Sequence, residues 1–246
     1  MAQIIKKEPP PAPQNKPFPI FLILAVVGVI LAITGLINDN IIVMAVGIIA
    51  VIGSFFSGFL RSFSIFDPQA QIQQAGEMGE AATAHLIRQL PEGYFGFQNI
   101  RLTYQGRNSE LDMVVVGKTG VFIIETKNHN GLIQGNFDQH QWIQHKTGRR
   151  GGQYSKEFYN PVKQVGTHTY RLAHYLRDRG CNVHVDSMVF FTHPMASVQV
   201  YGTPGKIPVY AGQQGAELIF RQILSGTANL SPNQIQQICN LLNTTC

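Results

Sequence analysis

The chain has 246 residues, a formal net charge of +5 and a pI near 9.2; 44% of it is hydrophobic and only 13% charged. That length allows one good-sized domain with additions. Its three cysteines, Cys181, Cys239 and Cys246, are odd in number and widely separated with no CxxC spacing. They suggest neither a disulfide framework nor a zinc ribbon, which suits a reducing compartment.

In chain order, Lys7-Glu8-Pro9-Pro10-Pro11-Ala12-Pro13 reads as part of a proline-rich disordered tail over residues 1–17. Phe18 to Ile37 and Ile41 to Leu60 are apolar stretches without a charged residue, each of about the 20 residues a membrane-crossing helix needs. Asn38-Asn40 leaves room only for a reversal, so residues 18–60 predict a transmembrane hairpin rather than a cleaved signal peptide or a buried soluble hairpin. Lys6, Lys7, Lys16 and Arg61 flank the pair and the turn carries only Asp39, which places both termini in the cytosol, on a bacterial inner membrane.

Residues 61–75 form a linker and helix start, with Asp67 as N-cap and Pro68 at the first helical position. The helix runs to about Leu90. Gly76 and Gly79 inside it cost about 1 kcal/mol each against alanine, which is understandable where the backbone passes close to a sheet edge. Tyr94 to Tyr104 predicts a strand. Gly131-Gly135 and Gln141-Gln144 predict a short strand pair, and Lys146 to Gly152 is a basic, glycine-rich loop. Asn160-Pro161 opens a helix to about Asp178, Val183 to Thr192 is a further strand, and Gly215–Leu224 and Ser231–Leu242 are helices.

The chemistry concentrates in Glu110-Leu111-Asp112-Met113-Val114-Val115-Val116, a Gly117-Gly120 turn, and Val121-Phe122-Ile123-Ile124-Glu125-Thr126-Lys127. β-Branched and aromatic runs bounded by glycines predict a hairpin, and apolar residues on both faces make its strands central. If Gly117 pairs with Gly120, Asp112 stands opposite Glu125 and Glu110 opposite Lys127, all four on one face. Opposed like charges about 5 Å apart repel, and a divalent cation beside Lys127 offsets that repulsion. The plainer alternative is an ordinary hairpin with a Glu110–Lys127 ion pair.

Four segments in order then resemble the nuclease-related (NERD) domain of the PD-(D/E)xK nuclease superfamily: Gly76-Glu77-Met78-Gly79-Glu80, Glu110-Leu111-Asp112, Glu125-Thr126-Lys127-Asn128 with Gly131, and Asn160-Pro161-Val162-Lys163-Gln164. The resemblance implies a restriction-endonuclease-like α/β fold with an αβββαβ core over residues 76–205, a mixed central sheet flanked by helices, and a helical extension over 206–246. It implies Mg²⁺ or Mn²⁺ held by Asp112 and Glu125 with Glu80 reaching in to the metal or its water, Lys127 acting on the attacking water and the phosphate, and Gln164 positioning the water or a ligand. Glu110 falls beside Lys127 as its partner.

The expected activity is therefore phosphodiester hydrolysis of nucleic acid, DNA ahead of RNA, by a membrane-tethered nuclease. The alternative is a catalytically silent module of the same fold that binds nucleic acid or serves as a scaffold. Homo-oligomerisation is left open. Lys146, Arg149, Arg150 and Lys156 are weaker candidates for contact with a phosphate backbone. Tyr154, Phe158 and Tyr159 read as packing residues, with base stacking as the alternative, and His129, His140 and His145, which match no zinc spacing, as polar loop residues.

Overall fold

A computed structural model describes residues 1–6, 20–62, 68–147 and 151–245. The chain divides into two units: Pro10–Gln74, and a larger one made of Met1–Pro9 with Ala75–Cys246.

In the first unit, α1 (Ile20–Ile37) and α2 (Ile41–Ser62) form a hairpin. Small residues let the helices meet: a Cβ on Gly35 would come within 2.3 Å of the Met44 nitrogen, and one on Gly47 within 2.4 Å of the Ala32 nitrogen. Thr34 Oγ1 is satisfied by the Ile30 carbonyl at 2.9 Å. Many outward apolar side chains, such as Ile30, Leu36 and Phe55, are exposed. Among the described residues, however, no helix is long and apolar enough to cross a membrane. The longer α2 ends in Ser54, Ser57, Arg61 and Ser62. The expected transmembrane hairpin, and with it the inner-membrane location and lipid anchoring, is corrected accordingly.

The larger unit is mixed α/β, compatible with a nuclease-like fold. From α3 (Pro68–Arg88) the chain passes into β2 (Phe95–Tyr104), β3 (Arg107–Gly117) and β4 (Gly120–Lys127), then later α4 (Pro161–Arg177) and β8 (Val185–Phe191), the expected αβββαβ order. With β1 (Gln3–Lys6) and β10 (Val209–Ala211) at its edges, the six-stranded sheet has the order β1-β2-β3-β4-β8-β10. Its inner pairs β2–β3 and β3–β4 are antiparallel, and β4–β8 is parallel.

Both edges of that sheet depart from expectation. Gln3–Lys6, placed by the sequence in a disordered tail, forms β1 and pairs parallel to β2. Ile4 fits there because Gly96 has no side chain: a Cβ at that position would lie 2.5 Å from Ile4 Cδ1. At the other edge β10 (Val209–Ala211) joins β8 ahead of α5 (Gly212–Leu224). Helix α6 (Pro232–Thr244) starts as expected, on a Ser231 cap reciprocated by Gln234.

Two apolar layers sandwich the sheet. Val114, Val116, Val121 and Ile123 pack under Val165, Leu172 and Leu176 of α4 and Ile238 and Leu242 of α6. Met113, Val115, Phe122 and Ile124 pack under Ala84 and Ile87 of α3 and Ile219 and Ile223 of α5. The period-two alternation of β3 and β4 thus divides cleanly between helices on the two faces.

A second sheet, of order β7-β6-β5-β9, takes three strands from between β4 and α4 and its fourth from after β8. It comprises β5 (Gly131–Asn136), β6 (Gln141–Thr147), β7 (Gln153–Tyr159) and β9 (Ala196–Tyr201). Sequence patterning gave β5 and β6 but not β7 or β9, whose residues alternate around an exposed or half-buried level with little apolar contrast. Ile133 and Trp142, both fully buried, join this sheet to the α4-side core. Cys181 and Cys239 are buried free thiols.

Candidate active site

The hairpin register is the expected one, Gly117 with Gly120 through Met113 with Ile124. There the backbone ladder stops, and Asp112 continues the contact with its side chain: Oδ2 accepts from the Thr126 N–H at 2.8 Å. On the other flank β2 and β3 pair Gln98 with Met113 and Ile100 with Leu111, skipping Asn99 and Asp112. Asn99 sits at φ 54°, the left-handed region that Asn tolerates better than most residues.

This break reverses the alternation on both strands. Leu111 and Val114 share the α4 side, as do Phe97 and Ile100. Glu110 is therefore carried to the face away from Leu111. It lies exposed, opposite Arg101 in the ladder and 3.8 Å from its guanidinium. The expected place of Glu110 beside Lys127 is corrected: strict period-two counting from Asp112 fails at the Asn99 break.

The remaining five residues converge. Glu125 is 1% exposed and Lys127 20%, on the same side of β4. Lys127 Nζ donates to Glu125 Oε1 at 2.6 Å and to Gln164 Oε1 at 3.1 Å. Gln164 is delivered by α4, whose start is fixed by the fully buried Asn160. Its Oδ1 accepts from the N–H groups of Val162 and Lys163, and its Nδ2 donates to the carbonyls of Asn136, Phe137 and Gln139. The Asn-Pro pair is thus a cap bolted to the β5–β6 turn, and Gln164 stands one turn along from it.

Glu80 comes from α3. Its Oε2 accepts from Asn99 Nδ2 at 3.0 Å, and its backbone carbonyl accepts from Gln98 Nε2 at 3.4 Å. The helix reaches the sheet through Gly79, where a Cβ would lie 2.9 Å from Asn128 Cβ, 3.1 Å from Thr192 Oγ1 and 3.2 Å from Thr126 Cγ2. Gly76 has no such neighbour within 4 Å, so the expected close approach holds for one of the two helix glycines. Asn128 completes the tie, donating to the Ala75 carbonyl at 2.7 Å.

The electrostatics follow from this crowding. Burial and the nearby Glu125 push Asp112 up to about 7 against the pull of Lys127 and the Thr126 N–H, with Glu80 adding to the rise. Burial works in the same direction on Glu125, but His168 and Lys127 overcome it and hold that carboxyl below its usual value. The pair is therefore unequal: one carboxylate charged, the other partly protonated near neutrality.

His168 was not singled out by the sequence reading. It lies on α4 with Nδ1 3.4 Å from Glu125 Oε2, yet neither atom has a hydrogen-bond partner in this geometry. Its sequence signal was a histidine inside the apolar stripe Val165, Leu172, Leu176. Asn99 was missed too, although Asn is depleted within strands and marks a break there.

Among the described residues no group of three or more His, Cys, Asp or Glu side chains is set to hold a metal ion. What is present is a pair of repelling carboxylates with one buried Glu125 oxygen left without a partner. The donor set, two carboxylates, is of the oxygen type that Mg²⁺ takes. Arg149 and Arg150 lie outside the described residues, while Lys146 and Lys156 fall on β6 and β7.

Set against known families, residues 75–192 match the nuclease-related domain (NERD), from the α3 segment carrying Glu80 to the end of β8. The chain thus contains a nuclease-related domain that encloses Glu80, Asp112, Glu125, Lys127 and Gln164. An uncharacterised protein of Bacillus anthracis is 32% identical over 97 residues, which are 38% of this chain and 42% of that protein. The chain therefore spans less than half the length of that relative. No solved structure matches.

Proposed function

We propose that the domain hydrolyses phosphodiester bonds of nucleic acid, with Mg²⁺ or Mn²⁺ held by Asp112 and Glu125. The observation that carries this reading is the unequal carboxylate pair beside Lys127: Asp112 raised to about 7 by burial and Glu125, and a Glu125 oxygen buried without a partner. Two carboxylates buried side by side with one ammonium between them are costly to folding, and such perturbed groups cluster where chemistry is done.

When bound, the metal supplies Lewis acidity toward a phosphoryl oxygen and lowers the pKa of a bound water. The residues do the rest. Lys127, held between Glu125 and Gln164, places a positive charge where the phosphate becomes more negative and can orient the attacking water. Gln164, accepting from the same ammonium at 3.1 Å, gives it a second anchor beside Glu125. Glu80, aimed by Asn99, receives a proton or orients a water on the side away from α4. His168 keeps Glu125 ionised from behind.

A catalytically silent module of the same fold is the competing reading. Its distinguishing expectation is loss of the lysine or of a carboxylate, and all of them stand here. The test is cleavage of labelled DNA and RNA by the full chain with Mg²⁺, with Mn²⁺ and with EDTA, beside Asp112→Ala. Metal-dependent cleavage lost in Asp112→Ala supports the reading. Cleavage that persists in both EDTA and Asp112→Ala, or none by a folded wild type, refutes it.

A further inference from the structure

The loop linking the two sheets carries a feature that the hydrolytic site does not use. Beyond Lys127, His129 turns its ring edge-on to Phe158 of β7, centroids 4.4 Å apart, and toward Phe191 of β8 at 6.2 Å. Its Nδ1 is buried with no hydrogen-bond partner. The next residue, Asn130, is fastened to β6 by Gln144, whose Nε2 donates to the Asn130 carbonyl at 2.7 Å and to Oδ1 at 3.2 Å. Residues 127–130 therefore lie along one face of the β6–β7 ribbon.

The register says what else that face presents. Trp142 pairs with Phe158, Gln144 with Lys156, and Lys146 with Tyr154. Residues two apart on a strand share a side, so Lys156, Lys146 and Tyr154 continue the surface on which His129 and Asn130 rest. Tyr154 is 54% exposed. Among the described residues neither Lys146 nor Lys156 forms an ion pair, whereas Lys127 has Glu125.

Two unpaired lysines and a histidine with an orphaned nitrogen are the positive counterpart of the carboxylate pair. Burial first, then Lys127, Lys146 and Lys156, depress His129 to about 4, so the ring is neutral and free to donate one hydrogen bond. Burial and Lys156 also lower Lys146. An anion seated among these groups would relieve the repulsion and give the buried nitrogen a partner.

We infer that His129, Lys146 and Lys156 hold the phosphate next to the one that is cut, and that Tyr154 stacks on a base of the same strand. The substrate is then a single strand of at least two phosphodiesters, not an isolated phosphodiester. Stacking on an exposed aromatic needs an unpaired base, which a duplex does not offer at this face. The inference rests on the hydrolytic reading of Asp112, Glu125 and Lys127 for the word "cut", but the binding surface itself can be measured apart from it.

The test uses the full chain and the Lys146→Gln/Lys156→Gln double variant, with circular dichroism melting as the check on folding. Two substrates are compared with Mg²⁺ or Mn²⁺: a fluorescent single-stranded 12-mer and bis(p-nitrophenyl) phosphate, which carries one phosphodiester and cannot reach a second position. The double variant should lose about tenfold or more in kcat/KM on the 12-mer while its rate on the small diester stays within about twofold. In EDTA, fluorescence anisotropy should show weaker binding of the 12-mer and a slope of log K against log salt reduced by about 0.7, the value for one lost phosphate contact on a single strand. Tyr154→Phe should bind like the wild type, and Tyr154→Leu about tenfold more weakly.

Equal loss on both substrates, or unchanged 12-mer binding and salt slope in the double variant, overturns the assignment. If the wild type cleaves neither substrate, the hydrolytic reading falls. The EDTA binding data then decide the strand-binding surface alone, supporting it if the variant loses affinity and salt slope and rejecting it if not.

Discussion

Asn99 Nδ2 donates to Glu80 Oε2 at 3.0 Å from a backbone held at φ 54°. A single residue thereby sets the strand break that shifts β3 beside Asp112 and aims the one carboxylate that α3 contributes. The two duties are separable. Asn99→Gly keeps the left-handed conformation without a Cβ penalty and loses only the amide, so stability should change by less than about 1 kcal/mol. Cleavage should fall about tenfold as Glu80 loses its orientation. Asn99→Ala adds about 1–2 kcal/mol of backbone strain to the same loss of rate. Urea denaturation and single-turnover rates on both variants check this, and a wild-type rate in Asn99→Gly takes Glu80 out of the chemistry.

The two glycines of α3 make a paired prediction. At Gly76 nothing lies within 4 Å of a new Cβ, while at Gly79 it would meet Asn128, Thr192 and Thr126. Gly76→Ala should stabilise by about 0.5–1 kcal/mol through helix propensity and leave cleavage unchanged. Gly79→Ala should push α3 away from β4, cost about 1–3 kcal/mol, and lower activity because Glu80 is the adjacent residue. Thermal melts in the same buffer read both signs, and an equal response at the two sites would contradict the packing described.

How much of this the sequence carried depends on the range of the interaction. The αβββαβ order was legible because each element has its own hydrophobic period and punctuation, and the Gly117–Gly120 register because a tight turn fixes it. Glu80, Asp112, Glu125, Lys127 and Gln164 were legible as motifs in order. The place of Glu110 was not, since it depends on a break at Asn99 in a neighbouring strand that counting along one strand cannot register. His168 reaches Glu125 through tertiary packing of α4, and β7 has too little apolar contrast to announce itself. The apolar hairpin misled in the opposite way: composition resembled a membrane span, but no described helix has the length and apolarity to cross one.

The raised Asp112 carboxyl gives the metal-free protein a defined pH dependence. In the unfolded chain this group loses its proton near its ordinary value of 3.8, and in the folded protein near 7. Between those values the folded state binds more protons than the unfolded one, so the contribution is fully present below about pH 4 and is lost as pH rises through about 7. Asp112→Asn removes that slope. The variant should match the wild type near pH 4 and exceed it by about 1–2 kcal/mol at pH 8, in EDTA. Mg²⁺ at millimolar concentration should then raise the melting temperature of the wild type more at pH 8 than at pH 5, by mass action on the ionised site, and leave Asp112→Asn nearly unmoved. Melting curves at the four combinations of pH and metal test the sign directly. A wild type more stable than Asp112→Asn at pH 8 in EDTA would show that the carboxylate is not held under repulsion.

Lys127 sits at the junction of stability and chemistry, and one variant can separate them. Its ammonium lies 2.6 Å from Glu125, which is 1% exposed, so the pair is a buried salt bridge as well as part of the candidate site. Lys127→Met keeps most of the stem's packing and removes the charge. Without it, Glu125 is left with His168 alone, and losing one partner of a buried pair costs about 2–3 kcal/mol. The metal-free variant should therefore melt lower than the wild type, and Lys127→Met/Glu125→Gln should recover most of that loss because no uncompensated charge remains. The metal should stabilise Lys127→Met more than the wild type, since the ammonium no longer occupies Glu125 Oε1. If Lys127 served only to neutralise Glu125, saturating Mg²⁺ would restore activity along with stability. If it acts on the water or the phosphate, the metal-saturated and fully folded variant should still cleave about 10²-fold more slowly. Rates measured at a Mg²⁺ concentration where both proteins are folded distinguish the two, and a rescued rate would assign the lysine to the fold alone.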